Sequence, residues 1–264
     1  LDADMLRSLL STLGVYSVYQ RWLRMQIDSN EKPQHVGIIL DGNRRWASER
    51  YMKPWEGHRE GAAKVRHFLK WCVDLGINTV TIYVFSTENF QRPQREVEEV
   101  MKIAEENLEE LLSTEVIHKN RVCVTAIGRL NLLPERVQHL IGEVERATKG
   151  YDRFYLNLAI AYGGRAEIVD AAKKIAEKIV SHELSPTAID EATFEENLYT
   201  SYLPQQDPDL IIRTSGESRL SGFLLWQSAY SELFFVDVYW PEFREIDLER
   251  AIRSFQQRNR RYGK

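Results

Sequence analysis

Cysteine is scarce in this sequence. Cys72 and Cys123 are the only two in 264 residues, and both sit in apolar surroundings. No CxxC pair occurs, which excludes a structural zinc site of that kind and a disulfide framework and fits a reducing, cytoplasmic setting. Long apolar runs are also missing. There is no stretch of about 18 apolar residues and no charged-then-apolar leader signal, so no spanning helix is expected. Positive charge is not in excess: 35 Lys+Arg against 39 Asp+Glu give a formal net charge of -4. A general nucleic-acid binder depends on positive charge, so no nucleic-acid partner is expected. Repeats and low-complexity tracts are absent. What remains is 43% hydrophobic and 28% charged residues, the balance of a globular chain able to build a full core.

Residues 5–27 read as one amphipathic helix. Met5, Leu6, Leu9, Leu10, Leu13, Tyr16, Tyr19, Leu23 and Ile27 recur near a 3.6-residue period. Arg7, Trp22 and the neighbouring Arg21 and Arg24 suit either packing on the domain or a membrane surface. Residues 1–32 are therefore set apart from a domain over 33–264. From His35 the pattern is strand–helix alternation. Strands are expected at His35–Leu40, Asn78–Phe85, Arg121–Ile127, Arg153–Ala161, Asp209–Arg213 and Glu232–Val238. Helices are expected from Asn43 with a break near Pro54, over Gly57–Leu75, from Pro93 to Lys119, from Pro134, over Arg165–His182 and over Leu248–Arg260. This predicts an α/β single domain: a mostly parallel six-stranded sheet flanked by helices on both faces. In such sheets ligands bind beyond the carboxyl ends of the strands.

Polar residues collect at those ends. Strand one runs into Asp41-Gly42-Asn43-Arg44-Arg45-Trp46, strand two into Ser86 to Arg92, and strand five into Arg213 to Ser221. Arg44, Arg45, Arg92, Arg213 and Arg219 thus share one rim of a net acidic protein. Guanidinium groups pair with phosphate oxygens in a bidentate manner and stay charged. Gly42 lets backbone N–H groups turn toward an anion. The two arginine clusters point to two phosphate or diphosphate groups. Asp41 is either a salt-bridge partner or a Mg²⁺ ligand, since Mg²⁺ takes one or two carboxylates plus substrate phosphates. Glu232, at the start of strand six, is either a second acidic contact or a solvated strand-end charge. Other phosphate chemistries lack their signatures. There is no GxxxxGK[ST], no GxGxxG after the first strand, no DDxxD and no GxSxG. ILDGN is faintly similar to the DxDGT of aspartate-nucleophile phosphatases, but Ile39 occupies the position of the first aspartate.

HVGIILDGNRRWA, GHREGA, FSTENFQRP, YGGR, IIRTSGESRLSGFLLWQSAYSELFF, WPEF and RRYG follow one another along the chain. Together they resemble the cis-prenyltransferase family, which includes undecaprenyl and dehydrodolichyl diphosphate synthases, from about His35 to Gly263. The resemblance implies an enzyme that extends an allylic prenyl diphosphate, of farnesyl or geranylgeranyl type, with isopentenyl diphosphate to a Z-polyprenyl diphosphate. It implies Asp41, Asn89 and Ser86 as catalytic residues. Asp41 would hold Mg²⁺ with help from Glu232. Gly42, Asn43, Arg44, Arg45, Trp46 and His58 would surround the leaving diphosphate. Phe90, Arg92 and Glu96 would lie near the substrates, and Arg213, Arg219 and Ser221 would bind isopentenyl diphosphate. The growing chain needs an apolar tunnel, for which the helices over 57–75 and 97–119 are candidate walls. Arg261, Tyr262 and Gly263 resemble an RxG motif that reaches the partner's site in a homodimer.

The strings DGNRRWA and RTSGESR look more like the archaeal and eukaryotic branch than like bacterial members with DGNGRWA and RTGGEHR. Pro54 stands where many members carry arginine, with Lys53 beside it as a substitute. Val84 stands where several have alanine. A peripheral membrane contact is expected for an enzyme with so apolar a product. Two alternatives remain open at this stage: irregular condensation with dimethylallyl diphosphate as acceptor, and a non-catalytic prenyl-diphosphate-binding partner subunit.

Overall fold

The structure is a computed structural model that describes residues 15–258. Helix α1 (Val15–Asp28) leads to β1 (His35–Ile39), then α2 (Asn43–Glu49), α3 (Pro54–Leu75) and β2 (Thr79–Ser86). Next come α4 (Gln94–Ser113), α5 (Glu115–Lys119), β3 (Val122–Ile127), α6 (Glu135–Thr148), β4 (Phe154–Tyr162) and α7 (Gly164–Val180). The last elements among the described residues are α8 (Glu191–Glu195), β5 (Leu210–Arg213), β6 (Glu232–Phe235) and α9 (Glu245–Gln257). The six strands form one sheet in the order β3-β4-β2-β1-β5-β6, and every pairing is parallel. The expected fold class is therefore observed.

Strand order fixes where a ligand can sit. From β1 the chain crosses first to β2 on one side, and much later to β5 on the other. The connections beyond the carboxyl ends of β1 and β5 thus diverge and leave a crevice, the switch point of an open parallel sheet. The buried faces explain the apolar strands. All five residues of β1 and all four of β5 are buried. Two polar side chains inside the sheet meet on one hydroxyl: the buried His35 imidazole contacts Thr81 Oγ1 at 2.8 Å, and Asn157 Nδ2 donates to the same oxygen at 2.8 Å.

Four expectations change. The helical break expected near Pro54 is present between Glu49 and Pro54, but the next helix resumes at Pro54 itself rather than Gly57, since at the first helical position a missing N–H costs nothing and φ is already set. The helix expected through Lys119 ends at Ser113, because Thr114 adopts an extended conformation, and α5 starts anew. Strand six stops at Phe235. The helix expected over Leu248–Arg260 starts earlier, at Glu245, where Asp247 accepts from the Arg244 amide at 3.1 Å.

Helix α1 packs on its own domain. Leu23 and Ile27 are buried in the main core, and Gln256 Nε2 of α9 donates to the carbonyls of Ile27 and Glu31, both at 3.0 Å. Its other face leaves Val18, Trp22 and Met25 exposed, at i, i+4 and i+7. The part of the expected helix before Val15 lies outside the described residues.

Candidate active site

Asp41 lies just beyond β1, at the crevice. Its backbone is pinned across to β5: the Asp41 amide contacts Thr214 Oγ1 at 2.9 Å, and that hydroxyl lies 2.7 Å from the Asp41 carbonyl. Gly42 follows at φ 101°, and a Cβ there would come within 2.6 Å of the Tyr239 ring, so only glycine fits the turn into α2. The turn aims the carboxylate at the crevice. One oxygen accepts from the Gly42 amide at 2.7 Å and from Arg45 Nη2 at 3.3 Å; the other accepts from Arg213 Nη2 at 2.7 Å. Burial opposes ionisation of Asp41, but the bond and charge of Arg213, the Gly42 amide and the Ser215 hydroxyl outweigh it. The carboxyl is held below its ordinary range.

Arg213 ends β5 and is almost fully buried, at 5% exposure. Its Nη1 donates to Ser221 Oγ at 2.8 Å and to the Arg219 carbonyl, while its Nε has no partner. A buried guanidinium with a free donor is costly unless an anion completes it. Asn43 carries the second orphan at this mouth, its buried Oδ1.

A second cluster gathers on Glu96 in the first turn of α4. This buried carboxylate meets Arg44 Nε at 3.4 Å, His58 Nε2 at 3.4 Å and Arg92 Nη1 at 3.3 Å through one oxygen. The His58 hydrogen bond, then the charges of Arg44 and Arg92, hold its carboxyl below the ordinary range against the effect of burial. Ser86 ends β2, and its amide donates to Asn89 Oδ1 at 3.1 Å, which turns the Asn89 amide group into the crevice.

Both clusters open onto a cavity of about 430 Å³. Asp41, Asn43, His58, Ser86, Asn89, Arg92, Arg213 and Ser221 line its mouth. Below, the walls are apolar: Ala62, Val65 and Leu69 from α3, with Val100, Ile103, Ala104, Leu108 and Leu111 from α4. Val84 also lines it. Thr114, Val116 and Ile117, at the break between α4 and α5, close the far end. The two helices expected as tunnel walls are the walls observed.

Several expected residues lie elsewhere. Glu232 pairs in register with Leu210 at the amino end of β5, whereas Asp41 lies beyond the carboxyl end of β1. In a parallel sheet the first residue of a strand is at the edge away from the site. Glu232 instead accepts from Arg258 Nη1 at 2.6 Å, so within this chain it cannot share a metal ion with Asp41. Trp46 turns from the cavity: its indole lies 3.3 Å from Glu242 Oε1, and Arg50 stacks over its ring at 4.4 Å. Arg219 faces outward in a pair with Glu217, and its carbonyl, not its guanidinium, touches Arg213. Phe90 backs the wall edge-on to Phe85 at 4.9 Å between centroids. Lys53 is exposed, and its amide donates to Glu56 Oε2 at 2.6 Å. Gly263 lies outside the described residues. Sequence reasoning gave no role to Thr214 or Ser215; their only signal was a short polar stretch after an apolar strand.

One carboxylate with hard oxygen donors, beside guanidiniums fit for diphosphates, suits a divalent cation shared between Asp41 and substrate oxygens. Among the described residues no group of three acidic, histidine or cysteine side chains forms an all-protein metal cage.

Comparison with known proteins gives the same picture. A family model described as putative undecaprenyl diphosphate synthase matches residues 39–263. The tritrans,polycis-undecaprenyl-diphosphate synthase (geranylgeranyl-diphosphate specific) of Methanopyrus kandleri is 55% identical over 97% of this chain and 93% of its own length. Its namesake in Methanocaldococcus jannaschii is 53% identical over 97% of this chain and 91% of its own. Among solved structures, lavandulyl diphosphate synthase from Lavandula x intermedia, in complex with dimethylallyl diphosphate, superposes with a TM-score of 0.84 at 39% identity, covering 88% of this chain and 99% of that one. A probable undecaprenyl diphosphate synthase from Campylobacter jejuni gives 0.72 at 33% identity, covering 89% and 100%.

Proposed function

The chain belongs to the undecaprenyl diphosphate synthase family of cis-prenyltransferases, and from that premise we propose that it extends geranylgeranyl diphosphate, or a similar allylic diphosphate, with isopentenyl diphosphate to a Z-polyprenyl diphosphate. The observation that carries the reading is a mouth of guanidiniums around one carboxylate, opening directly onto an apolar cavity. Such a shape takes a diphosphate at the top and a hydrocarbon chain below. The roughly half identity to archaeal relatives named geranylgeranyl-diphosphate specific supports that primer over the irregular condensation.

Asp41 would hold Mg²⁺, and the ion would supply charge neutralisation to the leaving diphosphate. Arg44, Arg45 and His58, on α2 and α3, receive the leaving diphosphate, with donors already in place where charge develops. Arg213 and Ser221 hold isopentenyl diphosphate across the crevice, and Asn89 orients its isopentenyl unit. Arg92 lies between the two groups. Holding both substrates in one mouth turns a bimolecular step into a local one. The cavity between α3 and α4 receives the lengthening chain.

The active unit is a homodimer; the Arg261, Tyr262 and Gly263 segment expected at the partner's site lies outside the described residues. The exposed Val18–Trp22–Met25 face of α1 makes a peripheral contact with a membrane in a cytoplasmic setting. Among the described residues no helix is long and apolar enough to cross a membrane. Because Leu23 and Ile27 are core residues, substitution of Trp22 and Met25 by glutamate, not deletion of the helix, tests this contact by liposome sedimentation.

The deciding experiment incubates the protein and Mg²⁺ with geranylgeranyl, farnesyl or dimethylallyl diphosphate, each with and without isopentenyl diphosphate, and sizes products by mass spectrometry. A five-carbon ladder that requires isopentenyl diphosphate is expected, strongest from geranylgeranyl diphosphate. Product from dimethylallyl diphosphate alone would establish the irregular reaction. Folded protein with no product in any tube would favour a non-catalytic subunit.

A further inference from the structure

We propose that Ser215 is a positioning residue, its hydroxyl fixing the Arg45 guanidinium beside Asp41 for a substrate diphosphate; this rests on the reading above that Arg45 receives that group. Ser215 has φ 75°, in the left-handed region that strains any residue with a Cβ. The backbone is held there by pairing with the segment after β6. The Ser215 amide donates to the Val238 carbonyl at 2.8 Å, and the Gly216 amide to the Val236 carbonyl at 3.0 Å. Glycine would meet this backbone demand without strain. The serine therefore keeps a strained conformation that its backbone role does not require, and what it adds is the hydroxyl.

That hydroxyl is placed to act on one atom. Ser215 is buried, and its Oγ accepts from Arg45 Nη2 at 2.6 Å, the same nitrogen that lies 3.3 Å from Asp41 Oδ1. The hydroxyl also helps to keep the Asp41 carboxyl ionised. Arg45 has few other anchors. It is 44% exposed, its ion pair with Glu217 spans 3.2 Å, and the Tyr239 ring lies 5.7 Å below its guanidinium. Surface pairs of that kind restrain a long side chain weakly. Ser215 is the buried group that sets where Arg45 points.

Two substitutions separate the hydroxyl from the strain. Ser215→Ala keeps the Cβ and its strain and removes the hydroxyl; Ser215→Gly removes both. The probe is inorganic diphosphate, titrated calorimetrically without metal, alongside steady-state kinetics with geranylgeranyl and isopentenyl diphosphates. In both variants the Kd for inorganic diphosphate and the KM for the allylic substrate should rise about tenfold, the loss of one hydrogen bond to a charged group. The KM for isopentenyl diphosphate should change less than about twofold, because Arg213 and Ser221 are untouched. Ser215→Gly should melt no lower than wild type and above Ser215→Ala. Function then follows the hydroxyl while stability follows the Cβ, which a purely structural serine cannot produce. Wild-type diphosphate affinity in Ser215→Gly, or losses that track melting temperature, would overturn the proposal. A wild-type protein that binds inorganic diphosphate with this Ser215 dependence but transfers no prenyl group would overturn the proposed function and leave the positioning role standing. Absence of diphosphate binding by the wild type would overturn the positioning role whatever the product assay shows.

Discussion

Replacing Gly57 by alanine tests whether the contact between α2 and α3 sets the geometry of the mouth. A Cβ on Gly57 would lie 2.1 Å from the Asn43 carbonyl oxygen and 3.0 Å from Ala47 Cβ. Normal non-bonded contact begins near 3.5 Å, so the two helices must separate by roughly 1 Å. The obstacle is backbone, which has no rotamer to change. Two effects compete. Alanine gains about 1 kcal/mol over glycine in a helix interior. Overpacking against a fixed atom costs about 3 kcal/mol, the upper part of its usual range. The net loss is about 2 kcal/mol, or a fall of roughly 4–8 °C in Tm at this chain length. Asn43 opens α2 at the cavity mouth, so a displacement of roughly 1 Å there should lower kcat/KM by about 10²-fold. Calorimetry and prenyl-transfer kinetics on purified Gly57→Ala measure both. Gly150 is the control: a Cβ there meets nothing within 4 Å, and Gly150→Ala should stay within about 0.5 kcal/mol of wild type. A Gly57→Ala protein as stable and as active as wild type would refute the reasoning.

Glu96→Ala should cost ten- to hundredfold in kcat/KM for the allylic substrate, about 1.5–3 kcal/mol, by leaving Arg44, His58 and Arg92 without their shared counter-charge. Glu96→Gln should fall between, since it keeps an acceptor but not the charge. Ala104→Phe should fill part of the cavity between α3 and α4 and shorten the product ladder seen by mass spectrometry, with Tm lowered by no more than a few degrees; an unchanged ladder would place the growing chain elsewhere. Glu249, buried under α1 with neither oxygen hydrogen-bonded, has its carboxyl raised to about 7 by burial and by the nearby Glu245, against the pull of Arg24. A carboxyl raised in the docked state holds its proton there and loses it when exposed. The seating of α1 should therefore weaken as pH rises from about 4.5 through 7, and then level off. Amide exchange over 15–28 at several pH values measures this, and Glu249→Gln should flatten the dependence.

The sheet and the ends of its strands were legible because each signal is local. A short, mostly apolar run such as His35 to Leu40, followed by Asp41-Gly42-Asn43, reads as a strand entering a polar turn wherever it occurs. The helical walls of the cavity were legible for the same reason, as apolar helix faces flanking that turn. Glu232 misled because a motif names a residue without saying at which end of its strand it sits. Parallel pairing with Leu210 decides that, and pairing is a property of two distant segments. Trp46 misled similarly: position beside Arg45 did not reveal that Glu242, far along the chain, holds its indole. The break at Thr114 has no proline or glycine to announce it. Glu96 was marked as a site residue, but its place between Arg44, His58 and Arg92 comes from the crossing of α2, α3 and α4. Ser215 was given no role because a serine does not by itself reveal a left-handed backbone; the glycine at this place in the bacterial string RTGGEHR was the one signal of that conformation.

Three local costs meet at the mouth, and they bear on what the site is for. Arg213 Nε and Asn43 Oδ1 are buried without partners at the mouth, and Ser215 is strained there. The cavity below is lined like an ordinary core. Around the mouth, Arg44, Arg45, Arg92 and Arg213 share the carboxylates of Asp41, Glu96 and Glu217, so four guanidiniums meet three carboxylates. A chain selected for stability alone would add carboxylates or remove arginines, because like charges in a partly buried rim repel. Retaining the imbalance favours any ligand that brings negative charge to the rim, and the orphaned donor of Arg213 favours one with oxygen acceptors. The apolar cavity directly beneath then requires that the same ligand end in hydrocarbon.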